Sequence, residues 1–226
     1  MKVNYFVIDA GNSRSFPDKA ALLAKAAERI DAADLIVVVG DKLSQHYASL
    51  SNWSNKCAVL LELGNECLGV HTGESRGEEG SNVLGFARFR LGNAEPSPLV
   101  ELVRQPRSTP GAIEAATEFF EAIGLKVSVC ADFSGRIVDR LVRPYFNAVL
   151  RRLDEGLASA DDLDTTLRLG LGYPEGPISL LDRTGLADHC RVTRALFESY
   201  GDAAYVPARR AQVAAVREAA WDKSRG

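Results

Sequence analysis

The sequence predicts an α/β domain followed by an all-α domain, and three observations carry that expectation. Short apolar runs rich in β-branched residues alternate with helical patterns up to residue 131. From residue 132 onward the apolar spacing is helical throughout. A length of 226 residues is enough for two modest domains. The expected boundaries are 1–131 and 132–226.

Val3–Ile8 is a short run of β-branched and aromatic residues and predicts a buried strand, with a loop from Asp9 to Phe16. Pro17 suits a first helical turn, where its missing N–H has no partner to lose. The spacing of Leu22, Leu23, Ala26, Ala27 and Ile30 then predicts a helix over 18–32. Leu35–Val39 and Cys57–Leu63 read as buried strands, and Leu68–His71 as a candidate fourth. The polar, glycine-bearing stretch Thr72–Gly80 predicts a surface loop. Strands follow at Val83–Leu91 and Val100–Arg104. A helix is expected over Pro110–Ile123, capped by Thr109 and ended by Gly124. Val127–Ala131 is the last strand expected.

The run Ser134–Leu157 places Ile137, Leu141, Tyr145, Val149, Leu150 and Leu153 on one helical face, with a kink or break expected at Pro144. Helices are expected over Ala160–Leu169, Ile178–Arg183, Ala187–Tyr200 and Ala208–Lys223. Ser159 with Asp161 and Asp162 matches a helix start, where a hydroxyl and carboxylates meet the positive end of the helix dipole. Gly172–Pro177 reads as a rigid turn.

A net charge of -3, with basic residues scattered among acids, argues against nucleic acid as a partner. No stretch approaches the roughly 18 apolar residues of a membrane span. The first residues lack the plan of a signal peptide. A cytoplasmic protein is expected. Cys57, Cys67, Cys130 and Cys190 are widely spaced, as are His46, His71 and His189, so no metal site is expected.

The segment from Asp132 to Leu186 carries the strings GRIVDRL, DEGLASADDLD and GLGYPEGPISLLD. These resemble, in order and spacing, the C-terminal domain of 3-hydroxyacyl-CoA dehydrogenases. Upstream, AADLIVVVGD at 32–41 and NVLGFARFRLGNAEPSPLVELVR at 82–104 resemble the strand and the histidine-bearing segment of that family's nucleotide-binding domain. The resemblance implies a reduced Rossmann-like N-terminal domain followed by a helical dehydrogenase C-terminal domain, like the second half of duplicated 3-hydroxybutyryl-CoA dehydrogenases. It also implies that the first strand passes through one helix directly to the family's fourth, without the intervening strands.

The resemblance implies NAD and an acyl-CoA substrate, and here the residues depart from the family. A dinucleotide fold needs a glycine-rich turn after its first strand. The loop Asp9-Ala10-Gly11-Asn12-Ser13-Arg14 has one glycine. Gly11, Asn12 and Ser13 are the weak candidates for holding an anion, with a polar loop of no binding role as the plainer expectation. Asp41 ends a strand where an acid that binds a ribose could sit, though a turn residue is the plainer expectation. Where the family has its catalytic histidine, this chain has Ala87 or Arg88, and His71 lies too far upstream to take the role. Asp139 stands at the family asparagine, and Arg136, Arg140 and Arg143 within one turn predict an ion pair for it rather than a catalytic duty.

No cofactor is therefore expected, and the chain reads as a dimerising or acyl-CoA-binding homologue. The alternative is an active NAD-dependent 3-hydroxyacyl-CoA dehydrogenase, alone or with a partner subunit. A substrate pocket is expected between the domains, lined by Arg136, Asp139, Arg143, Tyr173, Pro174 and Pro177, with the two arginines meeting a CoA phosphate or thioester oxygen. A homodimer through the C-terminal helices is expected, because Leu167, Leu169, Leu171, Leu180, Leu181, Leu196 and Phe197 exceed what so small a domain buries.

Overall fold

The computed structural model describes residues 4–50, 53–73 and 81–223. They fall into two compact units, one of residues 1–90 and 96–137, the other of residues 91–95 and 138–226. The first unit thus continues beyond Ala131 to Ile137, and a five-residue piece of chain from its middle belongs to the second.

The first unit is built on a six-stranded sheet: β1 (Tyr5–Asp9), β2 (Leu35–Val39), β3 (Ala58–Glu62), β4 (Val83–Arg88), β5 (Leu99–Arg104) and β6 (Lys126–Ala131). The strands lie in sequence order, all neighbours parallel except β4 and β5. Every residue of β2 and β3 is buried, as continuous apolar runs require when both sheet faces are covered. Alternate residues feed two cores. Tyr5, Val7, Leu35, Val37 and Phe86 pack with Phe119 and Phe120 of α4 (Pro110–Ala122), and Ile36, Val38, Val59 and Leu61 pack with Leu43 and Leu68 on the other face.

The link from β1 to β2 crosses the first face with Phe16, Leu22 and Ala26, whereas the link from β2 to β3 crosses the second with Leu43, Tyr47 and Trp53. Both step one strand in the same direction, so the two crossovers have opposite hands. The link from β3 to β4 uses the second face as well, with Leu63 and Leu68. The right-handed rule then makes β1 to β2 the exception. Strand order never reverses, yet the links leaving β1 and β2 depart to opposite faces, and that divergence leaves a crevice at the carboxyl ends of the two strands.

Two expected elements change character, each because a distant group intervenes. The helix expected over 18–32 shrinks to α1 (Ala20–Leu23) and a 3-10 turn at Ile30–Ala32. The Leu22 carbonyl accepts the Tyr5 hydroxyl at 2.9 Å, and the Ala27 N–H turns to the Tyr5 carbonyl at 2.7 Å, so both leave the helical ladder. Leu68–His71, a candidate strand, is instead the start of α3 (Gly69–Thr72). The Asp132 carboxylate accepts the N–H groups of Leu68 and Gly69 at 2.6 and 2.9 Å and so begins a helical turn. The link between β2 and β3 holds α2 (Leu43–Ala48). The surface loop expected at Thr72–Gly80 falls largely on 74–80, outside the described residues.

The second unit contains α5 (Val138–Asp154), α6 (Ala160–Leu171), α7 (Pro177–Thr184), α8 (Leu186–Tyr200) and α9 (Arg209–Lys223). Pro144 does not break α5. It leaves the Arg140 carbonyl without its helical donor, and the Tyr205 hydroxyl fills that place at 3.2 Å. Ser159 caps α6 as expected, accepting the Asp162 N–H at 3.1 Å. Asp164 is buried and caps α7 across the Gly172–Pro177 turn, accepting the N–H groups of Ile178 and Ser179 at 2.9 Å each. Gly176 is required there, because a Cβ would stand 2.1 Å from the Asp164 carboxyl carbon.

Candidate functional site

The C-terminal ends of β1, β2 and β3 form a crest around a cleft of about 490 Å³, lined among others by Asn12, Arg14, Asp41, Glu62 and His71. Gly40 sits at its floor with φ +128, where a Cβ would lie 2.4 Å from the Ala10 carbonyl carbon. This close approach lets the turn after β1 fold onto the end of β2, with the Ala10 N–H bonded to the Val39 carbonyl and the Lys42 N–H to that of Ala10.

Carboxylates take the donors of that turn. The Gly11 N–H bonds Asp9 Oδ1 at 3.1 Å. Asp41 accepts the Asn12 N–H and its side-chain amide, both at 3.2 Å. Glu62, 5% exposed, accepts the Ser13 hydroxyl at 2.9 Å, the Ser15 N–H at 2.7 Å and the Gly40 N–H at 2.8 Å. Lys19 answers Asp9, and its hydrogen bond is the leading cause of the low pKa of that carboxyl. Gly11, Asn12 and Ser13 therefore stand together as the sequence suggests, but as donors to this chain's own acids. The roles of Asp41 and Glu62 are not visible in the sequence, since their partners lie 29 and 22 to 49 residues away.

Ala87, one of the two positions matched to the family histidine, lies directly across the β4–β5 ladder from Glu101. Glu101 is buried and accepts the Ile137 N–H at 2.7 Å. Arg88 spends its guanidinium on the carbonyls of Ser15, Pro96 and Ser97 and stacks over Phe16. His71, at the end of the candidate strand Leu68–His71, has a side chain only 5% exposed and is bracketed by Glu66 and Ser44.

Arg136 and Arg143, the expected contacts of a CoA phosphate, both point inward. Arg136, at φ +51, donates to the Gly64 carbonyl at 2.7 Å and pairs with Glu101 at 3.7 Å within the first unit. Arg143 is wholly buried in the second unit and donates to Asp139 at 2.7 Å, the ion pair expected for Asp139. Desolvation fixes both pairs in place, since a buried guanidinium needs a partner that surface water no longer supplies.

From Arg143 a polar chain crosses the helical core. Arg143 meets His189 Nδ1 at 3.2 Å, His189 Nε2 meets Asn147 Oδ1 at 3.0 Å, and the Asn147 amide donates to Thr193 at 2.8 Å. The Thr193 hydroxyl in turn donates a hydrogen bond to the Tyr205 carbonyl at 2.8 Å. Because guanidinium only donates, Nδ1 accepts and Nε2 carries the proton, which leaves the imidazole neutral. Burial, then the Arg143 charge, pushes the His189 pKa down to about 3.

Tyr173, Pro174 and Pro177 line an apolar hollow of about 290 Å³ together with Tyr145, Phe146 and Leu180. Burial, followed by the neighbouring Tyr173, pushes the Tyr145 phenol up to about 12. Among the leucines expected to spill from the domain, Leu181 and Leu196 are core, while Leu169 and Leu171 are 81% and 62% exposed. Leu141, Leu157 and Val216 add to this exposed apolar surface. No helix of the described residues is long and apolar enough to cross a membrane, and no cluster among them suits a metal ion.

Comparison with known proteins matches residues 135–220 to the family model "3-hydroxyacyl-CoA dehydrogenase, C-terminal domain". The hydroxyacyl-coenzyme A dehydrogenase of Homo sapiens mitochondria is 39% identical over 102 residues, covering 45% of this chain and 32% of that protein. A 3-hydroxybutyryl-CoA dehydrogenase of Bradyrhizobium diazoefficiens is 34% identical over 109 residues, covering 48% of this chain and 37% of that one. These matches span only about a third of the relatives' length. In structure, an (S)-3-hydroxybutyryl-CoA dehydrogenase from Ralstonia eutropha aligns with a TM-score of 0.71 at 24% identity, covering 89% of this chain and 73% of that one. The fold is thus a Rossmann-like sheet unit followed by a helical unit, as in such dehydrogenases, and residues 135–220 match the C-terminal domain of the 3-hydroxyacyl-CoA dehydrogenase family.

Proposed function

We propose that this chain is a 3-hydroxyacyl-CoA dehydrogenase homologue that does not hold NAD by itself, and that its helical unit dimerises and takes an acyl chain. One observation carries the first half of this reading: the crest is an anion site turned inside out. A diphosphate is held by backbone N–H groups that point at it from a glycine-rich turn and a helix start. Here the corresponding N–H groups of Gly11, Asn12, Ser15 and Gly40 already serve Asp9, Asp41 and Glu62. An incoming phosphate would find carboxylates where it needs donors, and like charges at that range repel. Ala87 or Arg88 in place of a histidine removes from that position the base that would take a hydroxyl proton, a contribution of about 100-fold to 10,000-fold.

The second half of the reading is supported by the apolar hollow at Tyr145, Tyr173 and Pro177 and by the exposed leucines of the helical unit. The hollow suits a short acyl chain better than a charged group. Exposed apolar surface of that extent is commonly covered by a second copy in homo-oligomers.

Titration of the pure chain into NADH, followed by fluorescence, and assay of acetoacetyl-CoA reduction test the first half. Neither a fluorescence change nor turnover is expected, and saturable NADH binding with turnover overturns it. Light scattering at micromolar concentration tests the second, where a dimer is expected and a monomer refutes it.

A further inference from the structure

The crest also carries a constellation that hydride transfer does not call for. His71 of α3 lies between two side chains from other elements: its Nε2 is 3.2 Å from Glu66 Oε1 and its Nδ1 is 3.3 Å from Ser44 Oγ. Glu66 stands in the loop between β3 and α3, and Ser44 in α2. The Glu66 carboxylate is also held by the Gly64 N–H at 3.0 Å. Burial alone would raise its pKa, but the His71 and backbone hydrogen bonds outweigh that and lower it. An ionised carboxylate can only accept, so the Nε2 of His71 carries the proton and Nδ1 is left as a base facing the serine hydroxyl. The imidazole is sheltered at 5% side-chain exposure, while Ser44 is exposed to the cleft of about 490 Å³.

We propose that Ser44, His71 and Glu66 form a nucleophilic relay that cleaves uncharged, short-chain carboxylic esters in this cleft. The three roles follow from the bonding: Ser44 is the nucleophile, His71 the base and then the acid, and Glu66 a positioning residue that fixes the tautomer and orientation of the ring. The Ser44 Oγ–carbonyl bond forms as the hydroxyl proton moves to His71 Nδ1. The ester C–O bond then breaks as that proton passes to the departing alcohol oxygen, leaving an acylated serine. Water adds by the same route, giving its proton to His71, and the carboxylic acid leaves as the proton returns to Ser44. Asn65 lines the same cleft and carries an amide of the type that can donate to the oxygen that becomes negative. The neighbouring Asp41 and Glu62 carboxylates set the substrate class, because they repel anionic acyl carriers, whereas Leu43, Leu63 and Val70 give apolar walls to a neutral acyl group.

The test uses the full chain with a fluorophosphonate probe, peptide mapping by mass spectrometry, and hydrolysis of p-nitrophenyl acetate. The probe is expected to phosphonylate Ser44 with loss of fluoride, and the adduct should be absent in His71→Gln. Ester hydrolysis should fall about 100-fold or more in Ser44→Ala, the usual loss for such a unit. Glu66→Gln should lower the maximal labelling rate while leaving the half-saturating probe concentration unchanged, a split that a merely structural role would not produce. An unlabelled Ser44 in folded protein, beside a control serine hydrolase that consumes the probe, overturns the proposal. So does labelling of Ser44 at the same rate in His71→Gln. Because NADH and acetoacetyl-CoA take no part in this experiment, its result is independent of the dinucleotide reading.

Discussion

The crest of the sheet and the interior of the helical unit solve one problem, the placing of a carboxylate, in opposite ways. At the crest Asp41, exposed, and Glu62, buried, gather neutral donors, mostly backbone N–H groups. Inside the helical unit Asp139 meets a full positive charge on Arg143, which is 0% exposed and continues into His189 and Asn147. A lost neutral donor leaves an acid that its remaining hydrogen bonds still hold, whereas a lost guanidinium leaves a buried carboxylate without its counter-charge. The two regions should therefore fail very differently when a partner is removed.

The largest effect is expected from Arg143→Ala, which leaves Asp139 buried and unpaired at a cost of roughly 3–5 kcal/mol. Urea unfolding measures it, and a loss below about 1 kcal/mol would remove the contrast between the regions. Acid comes next. The folded His189 pKa of about 3 lies below the ordinary 6.5, so the unfolded chain binds the proton first. Its contribution to stability is complete above about pH 6.5 and is lost as pH falls through the window toward about 3, at up to ~1.4 kcal/mol per pH unit. Thermal melts between pH 7 and pH 4 should show a steeper decline in the native chain than in His189→Gln, and parallel declines would count against a neutral, buried imidazole.

Glu62→Ala strands the N–H groups of Gly40 and Ser15 at the better-buried part of the crest, and a loss of about 1–3 kcal/mol is expected. Tyr205→Phe removes the donor that answers the Arg140 carbonyl above Pro144 and should cost about 1 kcal/mol. Asp41→Ala, at the exposed part of the crest, should stay within about 0.5 kcal/mol in the same urea titration. If Asp41→Ala costs as much as Glu62→Ala, the division of the crest by solvent access is wrong.

What the sequence made legible was local. The buried runs of β2 and β3, the Thr109 and Ser159 caps and the turn at Gly172–Pro177 each depend on neighbours within a few residues, and each was readable. The shortened α1, the helical turn at Gly69 and the unbroken α5 each hinge on a side chain far along the chain: Tyr5, Asp132 and Tyr205. Sequence spacing contains no term for such partners. The same holds at the candidate sites. The missing glycine pattern at 9–14 could be seen directly, but the use of those donors by Asp41 and Glu62 could not. His71 read as the end of a strand because Ser44 is 27 positions away and the turn that raises α3 is begun by Asp132. The pair of Asp139 with an arginine one turn away was readable from local spacing, whereas Arg136 and Arg143 read as contacts of a CoA phosphate or thioester oxygen, and only the fold shows Glu101 and His189 beside them.

The short piece Leu91–Glu95 gives the molecule a particular kind of connectedness. It leaves the sheet unit after Arg90, joins the helical unit and returns at Pro96, so the polypeptide changes units at three places: 90–91, 95–96 and 137–138. Gly92 is pressed so close that a Cβ would stand 1.7 Å from the Thr184 carbonyl oxygen, which also accepts the Asn93 N–H, while the Gly92 N–H bonds Asp188. Cleaving after Ile137 would therefore yield no self-sufficient halves. The larger fragment would keep a stitch that belongs to the smaller one, and the smaller would be left with an open seam at the end of α7.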